Sequence, residues 1–204
     1  MSEQINNLHV IMVLDESGSM NGIRDDIIGS VNGFIREQQQ ININDTETIM
    51  SLIKFNSNVF PVYEKILLKD VKEITSTDYR PNNNTALYDA VGFAMAKYSD
   101  EKNVCIIVVT DGQENSSKEY THKKMSEMIE KRKQDRWNFI YLSADLSLVQ
   151  QGENIGIYTS QDGSITQTQN MVRGYRELSQ GIIENCSSAV TQIRTTGHMV
   201  GQGL

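Results

Sequence analysis

Short aliphatic runs alternate with amphipathic helical patterns along this chain of 204 residues. The runs Leu8–Leu14 and Val104–Val109 are almost wholly aliphatic, which is typical of strands that are buried on both faces of a parallel sheet. The first run leads through a polar loop into apolar residues spaced three and four apart, the spacing of a helix that covers a sheet. The alternation predicts an α/β fold, with a doubly wound, mostly parallel sheet and helices on both faces.

The remaining elements are predicted from the same two periodicities. A turn at Asn56–Asn58 joins two strands into a hairpin, so one edge strand is expected to be antiparallel. The further strands are predicted at 48–55, 59–68, 139–142 and 155–158. The helices are predicted at 23–35, 85–98, 118–134 and 146–151, with a long final helix at 165–193.

Length and composition favour one ordinary globular domain. We expect a single domain over residues 1–195 and a flexible tail over 196–204. The formal net charge of -7 argues against nucleic acid as a partner, and the longest apolar run is far too short to cross a membrane. Cys105 and Cys186 form neither a disulfide framework nor a metal cluster, so we expect reduced thiols and a cytoplasmic location.

Oxygen-bearing side chains follow the predicted strands at one edge of the sheet. Asp15, Ser17 and Ser19 come directly after the first aliphatic run, and Asp111 comes after the run that ends at Val109. Thr85 opens the helix between them. Because ligands bind at the carboxyl ends of parallel strands, these five residues are expected to converge. Hydroxyls and carboxylates are hard ligands, so the pattern predicts a site for Mg²⁺, or alternatively Mn²⁺ or Ca²⁺.

The pattern Asp15-x-Ser17-x-Ser19, together with Thr85 and Asp111, closely resembles the metal-ion-dependent adhesion site (MIDAS) of von Willebrand factor type A domains. All five positions are intact, and the resemblance in order and spacing covers nearly the whole chain. It implies a Rossmann-like fold and a stand-alone prokaryotic or phage-like member of the family. It also implies that the two serines and the threonine bind the ion and that the two aspartates hold coordinating waters.

A protein-binding function follows from this resemblance. Little negative charge would touch the ion, which would therefore favour an Asp or Glu carboxylate that a protein partner presents. A partner-binding rim is expected on loops at the same edge: Glu16, Met20, Asn21, Gln113, Glu114, Asn115 and Asp145. Many intracellular family members work beside an AAA-type ATPase, so such a partner is possible by analogy alone. By contrast, Asp25, Asp26 and Asp89 occupy first turns of helices, where structural roles are expected.

The sequence offers no obvious catalytic machinery. The three histidines, His9, His122 and His198, are scattered, so no His–carboxylate pair is apparent, and no base is placed to activate Ser17 or Ser19. The Gly-x-Ser-x-Gly and phosphate-loop motifs are absent. The chain is therefore predicted not to be an enzyme. A metal-dependent hydrolase or phosphatase is the alternative, although a haloacid dehalogenase-type phosphatase would need an Asp where Ser17 stands.

One departure from the family pattern lies before Thr85. Asn82-Asn83-Asn84 occupies a loop where related proteins often carry glycine. Asparagine tolerates the left-handed backbone conformation better than most residues, so the loop is expected to form.

Overall fold

The computed structural model describes residues 8–40, 48–135, 137–143 and 149–159. In this part of the chain, six strands form one sheet in the order β3-β2-β1-β4-β5-β6. The strands are β1 (His9–Asp15), β2 (Ile49–Phe55), β3 (Val59–Leu67), β4 (Val104–Val109), β5 (Asn138–Leu142) and β6 (Tyr158–Thr159). Only β3 pairs in the antiparallel sense, so the predicted mostly parallel sheet with one antiparallel edge strand is confirmed.

Helices cover both faces of this sheet. They are α1 (Arg24–Gln40), α2 (Leu87–Lys97), α3 (His122–Gln134) and α4 (Val149–Asn154), with short 3₁₀ helices at Gly18–Ile23 and Leu68–Asp70. Helix α1 packs into one hydrophobic core, whereas α2 and α3 pack into a second core on the opposite face. The predicted doubly wound arrangement is therefore present.

Strand β1 lies at the centre and contributes to both cores. All seven of its residues are buried. Val10, Met12 and Leu14 belong to the core beneath α1, and Ile11 and Val13 belong to the other core. This is the alternation that a strand buried on both faces must have. Since β2 and β4 flank β1 in parallel, the carboxyl ends of all three strands meet at one edge.

Several predicted boundaries are wrong, each for a local reason. Helix α2 begins at Leu87 rather than Thr85. Ala86 occupies the N-cap position and makes no side-chain hydrogen bond to the helix. Helix α3 begins at His122 rather than 118, because the Thr121 side chain accepts a hydrogen bond from the Lys124 N–H and caps the helix there.

The last described elements also differ from expectation. The predicted helix at 146–151 is observed as Val149–Asn154, and the predicted strand at 155–158 is observed as Tyr158–Thr159. Gly156 adopts a positive φ of 86° in the turn after α4, so the chain cannot extend into a strand before that turn is complete. The predicted final helix at 165–193, the tail at 196–204 and Cys186 lie outside the described residues. Over the described ranges, none of the helices has the length and apolar character that a membrane span needs.

Candidate metal centre

The first part of the site is built by the chain as it leaves β1. Asp15 is the last residue of the strand, and its Oδ1 accepts a hydrogen bond from the backbone N–H of Ser17 at 2.7 Å. The Ser17 and Ser19 hydroxyl oxygens are 3.1 Å apart. The turn therefore brings both hydroxyls back beside the end of the strand that carries the aspartate.

Gly112 shows that three segments of the chain converge at one point. A Cβ atom built on this glycine would lie 2.6 Å from Thr85 Oγ1, 3.0 Å from Asp15 Oδ2 and 3.1 Å from Ser19 Oγ. Three side-chain oxygens thus surround a space that only glycine leaves open. Such a cradle, lined by hard oxygen donors, fits a small divalent cation.

The second carboxylate of the site is Asp111, which directly precedes that glycine. It is half-buried, and its backbone N–H contacts the Met20 sulfur at 3.3 Å. Its charge raises the pKa of Asp15, so the two carboxylates lie close enough to repel one another. The structure therefore brings all five residues predicted to form the site to one edge of the sheet.

Burial dominates the electrostatics of Asp15. The side chain is wholly buried, and this loss of water raises its pKa to about 6, with a further contribution from Asp111. Hydrogen bonds from Ser17 and from the Thr110 hydroxyl, at 2.5 Å to Oδ2, act in the opposite direction. A buried carboxylate with a like-charged neighbour is unfavourable when ionised, and a cation would relieve both effects.

The loop after β4 forms hydrogen bonds with both the N–H and the carbonyl of Thr85. The Thr85 N–H donates to Asn115 Oδ1 at 2.9 Å, and the Thr85 carbonyl accepts from the N–H groups of Asn115 at 3.0 Å and Ser116 at 3.2 Å. The Glu114 carboxylate accepts the Tyr88 N–H at 2.9 Å, at the start of α2. Thr85 and the Asp111 loop are therefore fixed to each other through main-chain hydrogen bonds.

The donor set is made mostly of hydroxyls. Within the described ranges, no group of three or more His, Cys, Asp or Glu side chains is placed to hold a metal. Among the described residues, the carboxylates of the cradle are those of Asp15 and Asp111, and no histidine joins them. Its fit to a cation depends instead on the Ser17, Ser19 and Thr85 hydroxyls.

Two residues predicted for the partner-binding rim do not belong there. Met20 is fully buried in the core beneath α1. Glu16 is 6% exposed, forms an ion pair with Lys54 at 2.9 Å and accepts the Arg80 N–H. Both side chains point inward from a loop whose backbone is at the edge, so neither is exposed as a rim residue is expected to be.

Of the other rim residues, Asn21 and Gln113 are exposed. Asn115 is exposed, but its side-chain oxygen accepts the Thr85 N–H. The Glu114 carboxylate accepts the backbone N–H groups of Tyr88, Ser116 and Ser117. These two act within the fold. Asp145 lies outside the described residues.

The asparagine loop before Thr85 adopts the conformation expected of it. Asn83 has a φ of 64°, in the left-handed region that asparagine tolerates. Its carbonyl accepts the Gly18 N–H at 2.9 Å, and the Asn82 N–H donates to the Glu16 carbonyl at 2.8 Å. The loop is thereby joined to the turn that carries both serines.

The predicted roles of three acidic helix residues can also be compared with the structure. Asp25 and Asp26 lie in the first turn of α1, as predicted. Asp89 lies in the first turn of α2 and accepts the backbone N–H groups of Lys118, Glu119 and Tyr120, which is a structural role.

A buried polar network that the sequence did not reveal lies at the opposite end of β1. His9, the first residue of the strand, contacts Glu101 through Nδ1 and Ser51 Oγ through Nε2 at 2.8 Å. This His–carboxylate pair is not apparent from the sequence. The partners are 92 and 42 residues away in sequence, and no local spacing indicates such a contact.

This Ser–His–Glu array is not arranged as a catalytic triad. Ser51 is fully buried, and its hydroxyl oxygen accepts hydrogen bonds from the Lys65 N–H at 2.9 Å and the Tyr98 hydroxyl at 3.2 Å. Both lone pairs of the oxygen are thus in use, so its own proton must go to His9 Nε2. The network fixes a neutral histidine with its proton on Nδ1, and it offers no accessible nucleophile.

Comparison with known proteins places the fold. The family model for the von Willebrand factor type A domain matches residues 9–171. No curated protein matches the chain.

Several solved structures share the fold at low sequence identity. The PilB minor pilin from Streptococcus sanguinis is 13% identical, with a TM-score of 0.65 over 91% of this chain and 63% of that one. The von Willebrand factor type A protein from Catenulispora acidiphila is 12% identical, with a TM-score of 0.53 over 87% and 43%. The SpRpn10 VWA domain is 15% identical, with a TM-score of 0.54 over 80% and 93%. The chain spans less than two thirds of the first two proteins, and at these identities the likeness concerns the fold alone.

Proposed function

The chain belongs to the von Willebrand factor type A domain family, and from this premise we propose that it is a protein-binding module whose binding depends on a divalent cation. Mg²⁺ is the proposed ion, with Mn²⁺ or Ca²⁺ as alternatives. The observation that carries the proposal is the cradle at Gly112, where oxygens of Thr85, Asp15 and Ser19 face one point. Ser17, Ser19 and Thr85 would hold the ion directly, and Asp15 and Asp111 would hold its waters.

The charge of the site explains why a cation would be needed. Asp15 and Asp111 place two like charges at this edge, in a chain whose net charge is already -7. Without a cation, these carboxylates repel any acidic partner. A bound Mg²⁺ supplies the positive charge that attracts a partner's Asp or Glu. The hydroxyls of Ser17, Ser19 and Thr85 contribute no negative charge, so the attraction is not cancelled.

A non-enzymatic role is part of the same proposal. Among the described residues, neither serine near the site has a histidine beside it, and His9, which is paired with a carboxylate, is buried at the other end of β1. The described residues therefore place no histidine base at the cradle, and the two carboxylates there are assigned to holding the ion's waters. Turnover of phosphate or acyl esters by the purified protein, lost in Asp111→Ala, would favour the hydrolase alternative instead.

Calorimetric titration with Mg²⁺ tests the site. We expect one binding event for the wild type and none for Asp111→Asn, which removes a charge that would hold the ion's water. Asp25→Asn is the matched control, because Asp25 is an exposed carboxylate in the first turn of α1. Equal binding by wild type and Asp111→Asn would contradict the proposal.

Affinity capture then tests partner binding. The wild-type protein is used as bait in Mg²⁺ and in EDTA, with Asp111→Asn in Mg²⁺ as a second control. A partner of this site is retained only by wild type in Mg²⁺ and is released when its interface Asp or Glu is replaced by the amide. Partners retained equally in all three conditions would argue against a metal-dependent module.

A further inference from the structure

The Gln151 side chain extends from α4 to the loop that forms the floor of the proposed metal site. Its Oε1 accepts the Glu114 N–H at 2.8 Å, and its Nε2 donates to the Gly112 carbonyl at 3.1 Å. One amide therefore binds the main chain on both sides of Gln113.

The position of the loop matters because Gly112 lies against the ligand oxygens. The nearest oxygen to a Cβ built on Gly112 is Thr85 Oγ1, at 2.6 Å. A small shift of this main chain would change the space between Thr85, Asp15 and Ser19. Gln151 holds the Gly112 carbonyl, so it acts on the cradle without contacting the ion.

Helix α4 is itself held at a fixed distance from the sheet. Gln151 Nε2 also donates to the Tyr141 hydroxyl at 2.7 Å, and a Cβ on the adjacent Gly152 would lie 2.6 Å from the Tyr141 ring. The helix thus sits as close to β5 as a glycine permits. The chain continues from α4 into β6, which pairs with β5 at Ile140 and Tyr141. A change in the position of α4 would reach the loop through Gln151.

We infer that Gln151 is a positioning residue for the metal site and that it couples the position of α4 to metal binding. The inference rests on the proposed function, since it concerns the affinity of the same site. Coupling of this kind is reciprocal: if Gln151 raises the affinity for Mg²⁺, then Mg²⁺ must stabilise the arrangement that Gln151 holds. The effect should therefore be visible from both ends.

The chain supplies a close control for a test by substitution. Gln150 precedes Gln151 in the same helix, but its side chain is exposed, whereas Gln151 is half-buried. Gln151→Ala removes all three hydrogen bonds, and Gln150→Ala removes an equal number of atoms without touching the loop. Gln151→Glu is an intermediate case, because a carboxylate can still accept from Glu114 N–H and Tyr141 O–H but cannot donate to the Gly112 carbonyl.

The first measurement is Mg²⁺ affinity by calorimetry in the full chain. We expect Gln151→Ala to bind Mg²⁺ roughly tenfold more weakly than wild type, which corresponds to the loss of one or two net hydrogen bonds. Gln151→Glu should have an intermediate affinity, and Gln150→Ala should match wild type. Circular dichroism melting shows whether each variant is folded. If Gln151→Ala does not fold, the comparison of Gln151→Glu with wild type carries the test.

The second measurement is amide hydrogen exchange, whose first comparison needs no bound metal. In the metal-free protein, the Glu114 amide should exchange faster in Gln151→Ala than in Gln150→Ala, since it loses its acceptor. In wild type, Mg²⁺ should slow exchange across 149–154, and this protection should disappear in Gln151→Ala. Equal Mg²⁺ affinity in wild type and Gln151→Ala, or α4 exchange indifferent to Mg²⁺, would overturn the coupling while leaving the metal site standing. A wild type that binds no Mg²⁺ would contradict the proposed function and the coupling together.

Discussion

At the scale of single residues, the buried carboxylate of Asp15 destabilises the metal-free fold when it is ionised. Burial raises its pKa from 3.8 to about 6, a difference that corresponds to about 3 kcal/mol at neutral pH. Its proton affinity is higher in the folded chain than in the unfolded chain. Its contribution to stability is therefore fully present below about pH 3.8 and is lost as pH rises through about 6.

Asp15→Asn should therefore stabilise the metal-free protein and abolish Mg²⁺ binding. The amide removes the buried charge and can still accept from the Ser17 N–H, although the Thr110 hydroxyl must reorient. We expect the free energy of unfolding in EDTA at neutral pH to rise by about 1 to 2 kcal/mol, less than the full electrostatic gain because hydrogen bonds to an ionised group are lost. Urea unfolding measures this. A less stable variant that still binds Mg²⁺ would contradict the assignment.

Gly112→Ala should remove metal binding with little effect on the rest of the fold. The added methyl group would fill the space between Thr85 Oγ1, Asp15 Oδ2 and Ser19 Oγ. Gly22→Ala is the control, because a Cβ at Gly22, in the same turn as Ser19, meets nothing within 4 Å. Titration with Mg²⁺ should show binding for Gly22→Ala and none for Gly112→Ala. Unchanged affinity in Gly112→Ala would show that the cradle is not the binding site.

Residue chemistry at strand ends was enough to predict which side chains meet. Asp15 ends β1 and Asp111 follows the end of β4, its parallel neighbour, so topology alone brings them together. Whether a loop side chain faces outward is not encoded in that pattern, and for this reason Met20 and Glu16, which were expected on the rim, are buried. The role of Gly112 depends on its distances to side chains of two other segments, which no local sequence pattern encodes.

At the scale of elements, the loop of three asparagines depends on one left-handed residue. Asn83 has a φ of 64°, and its carbonyl holds Gly18 between the two serines. Asn83→Gly should preserve Mg²⁺ affinity, whereas Asn83→Val should destabilise the chain by about 1 kcal/mol and weaken Mg²⁺ binding, since a β-branched residue is strained there. Urea unfolding and calorimetry check both effects. Equal behaviour of the two variants would mean that this backbone conformation is unimportant.

Strand β1 carries a second titrating group at its other end, roughly 20 Å from the site for a strand of this length. Burial lowers the pKa of His9 below 6.5; Lys65 acts in the same direction, and Glu101 opposes it. The Tyr98 ring lies edge-on at 4.7 Å and adds no charge. A proton on Nε2 would also break the hydrogen bond from Ser51. The contribution of His9 to stability is therefore fully present above pH 6.5 and is lost as the pH falls below that value.

The His9 network should be visible in the acid limb of a pH–stability profile. Asp15 acts in the opposite direction over an overlapping range, so the comparison is made in an Asp15→Asn background. In that background, the free energy of unfolding should decrease as the pH is lowered below 6.5. His9→Gln, which has no titrating group at position 9, should make this decrease smaller. An identical slope with and without His9 would show that this histidine does not govern acid stability.

Element types were predictable from periodicity, but their ends depended on contacts distant in sequence. Helix α2 begins two residues later than its pattern indicated. Glu114, from another loop, accepts the Tyr88 N–H in its first turn, and Asn115 of the same loop accepts the Thr85 N–H. The start of α3 could have been found from sequence, since Thr121 is a good N-cap residue followed by helix-forming residues. Long-range partners of this kind leave no trace in local spacing.

At the scale of the whole molecule, the parallel order of β2, β1 and β4 explains both the site and its chemistry. The three carboxyl ends form one edge, where backbone turns collect hydroxyls and two carboxylates. The alternation of strands and helices predicted this sheet because strands buried on both faces need helices between them. The cytoplasmic location and an ATPase partner stay predictions, since neither is decided by the fold.

Water proton relaxation with Mn²⁺ tests whether the site holds a divalent ion and offers it to an outside carboxylate. A bound Mn²⁺ with an open coordination position should enhance relaxation in the wild type and not in Asp111→Asn. Acetate, added as a minimal carboxylate, should reduce the enhancement by displacing water, whereas the neutral isostere acetamide should not. Wild type without enhancement, or equal effects of acetate and acetamide, would contradict a bound ion that prefers an outside carboxylate.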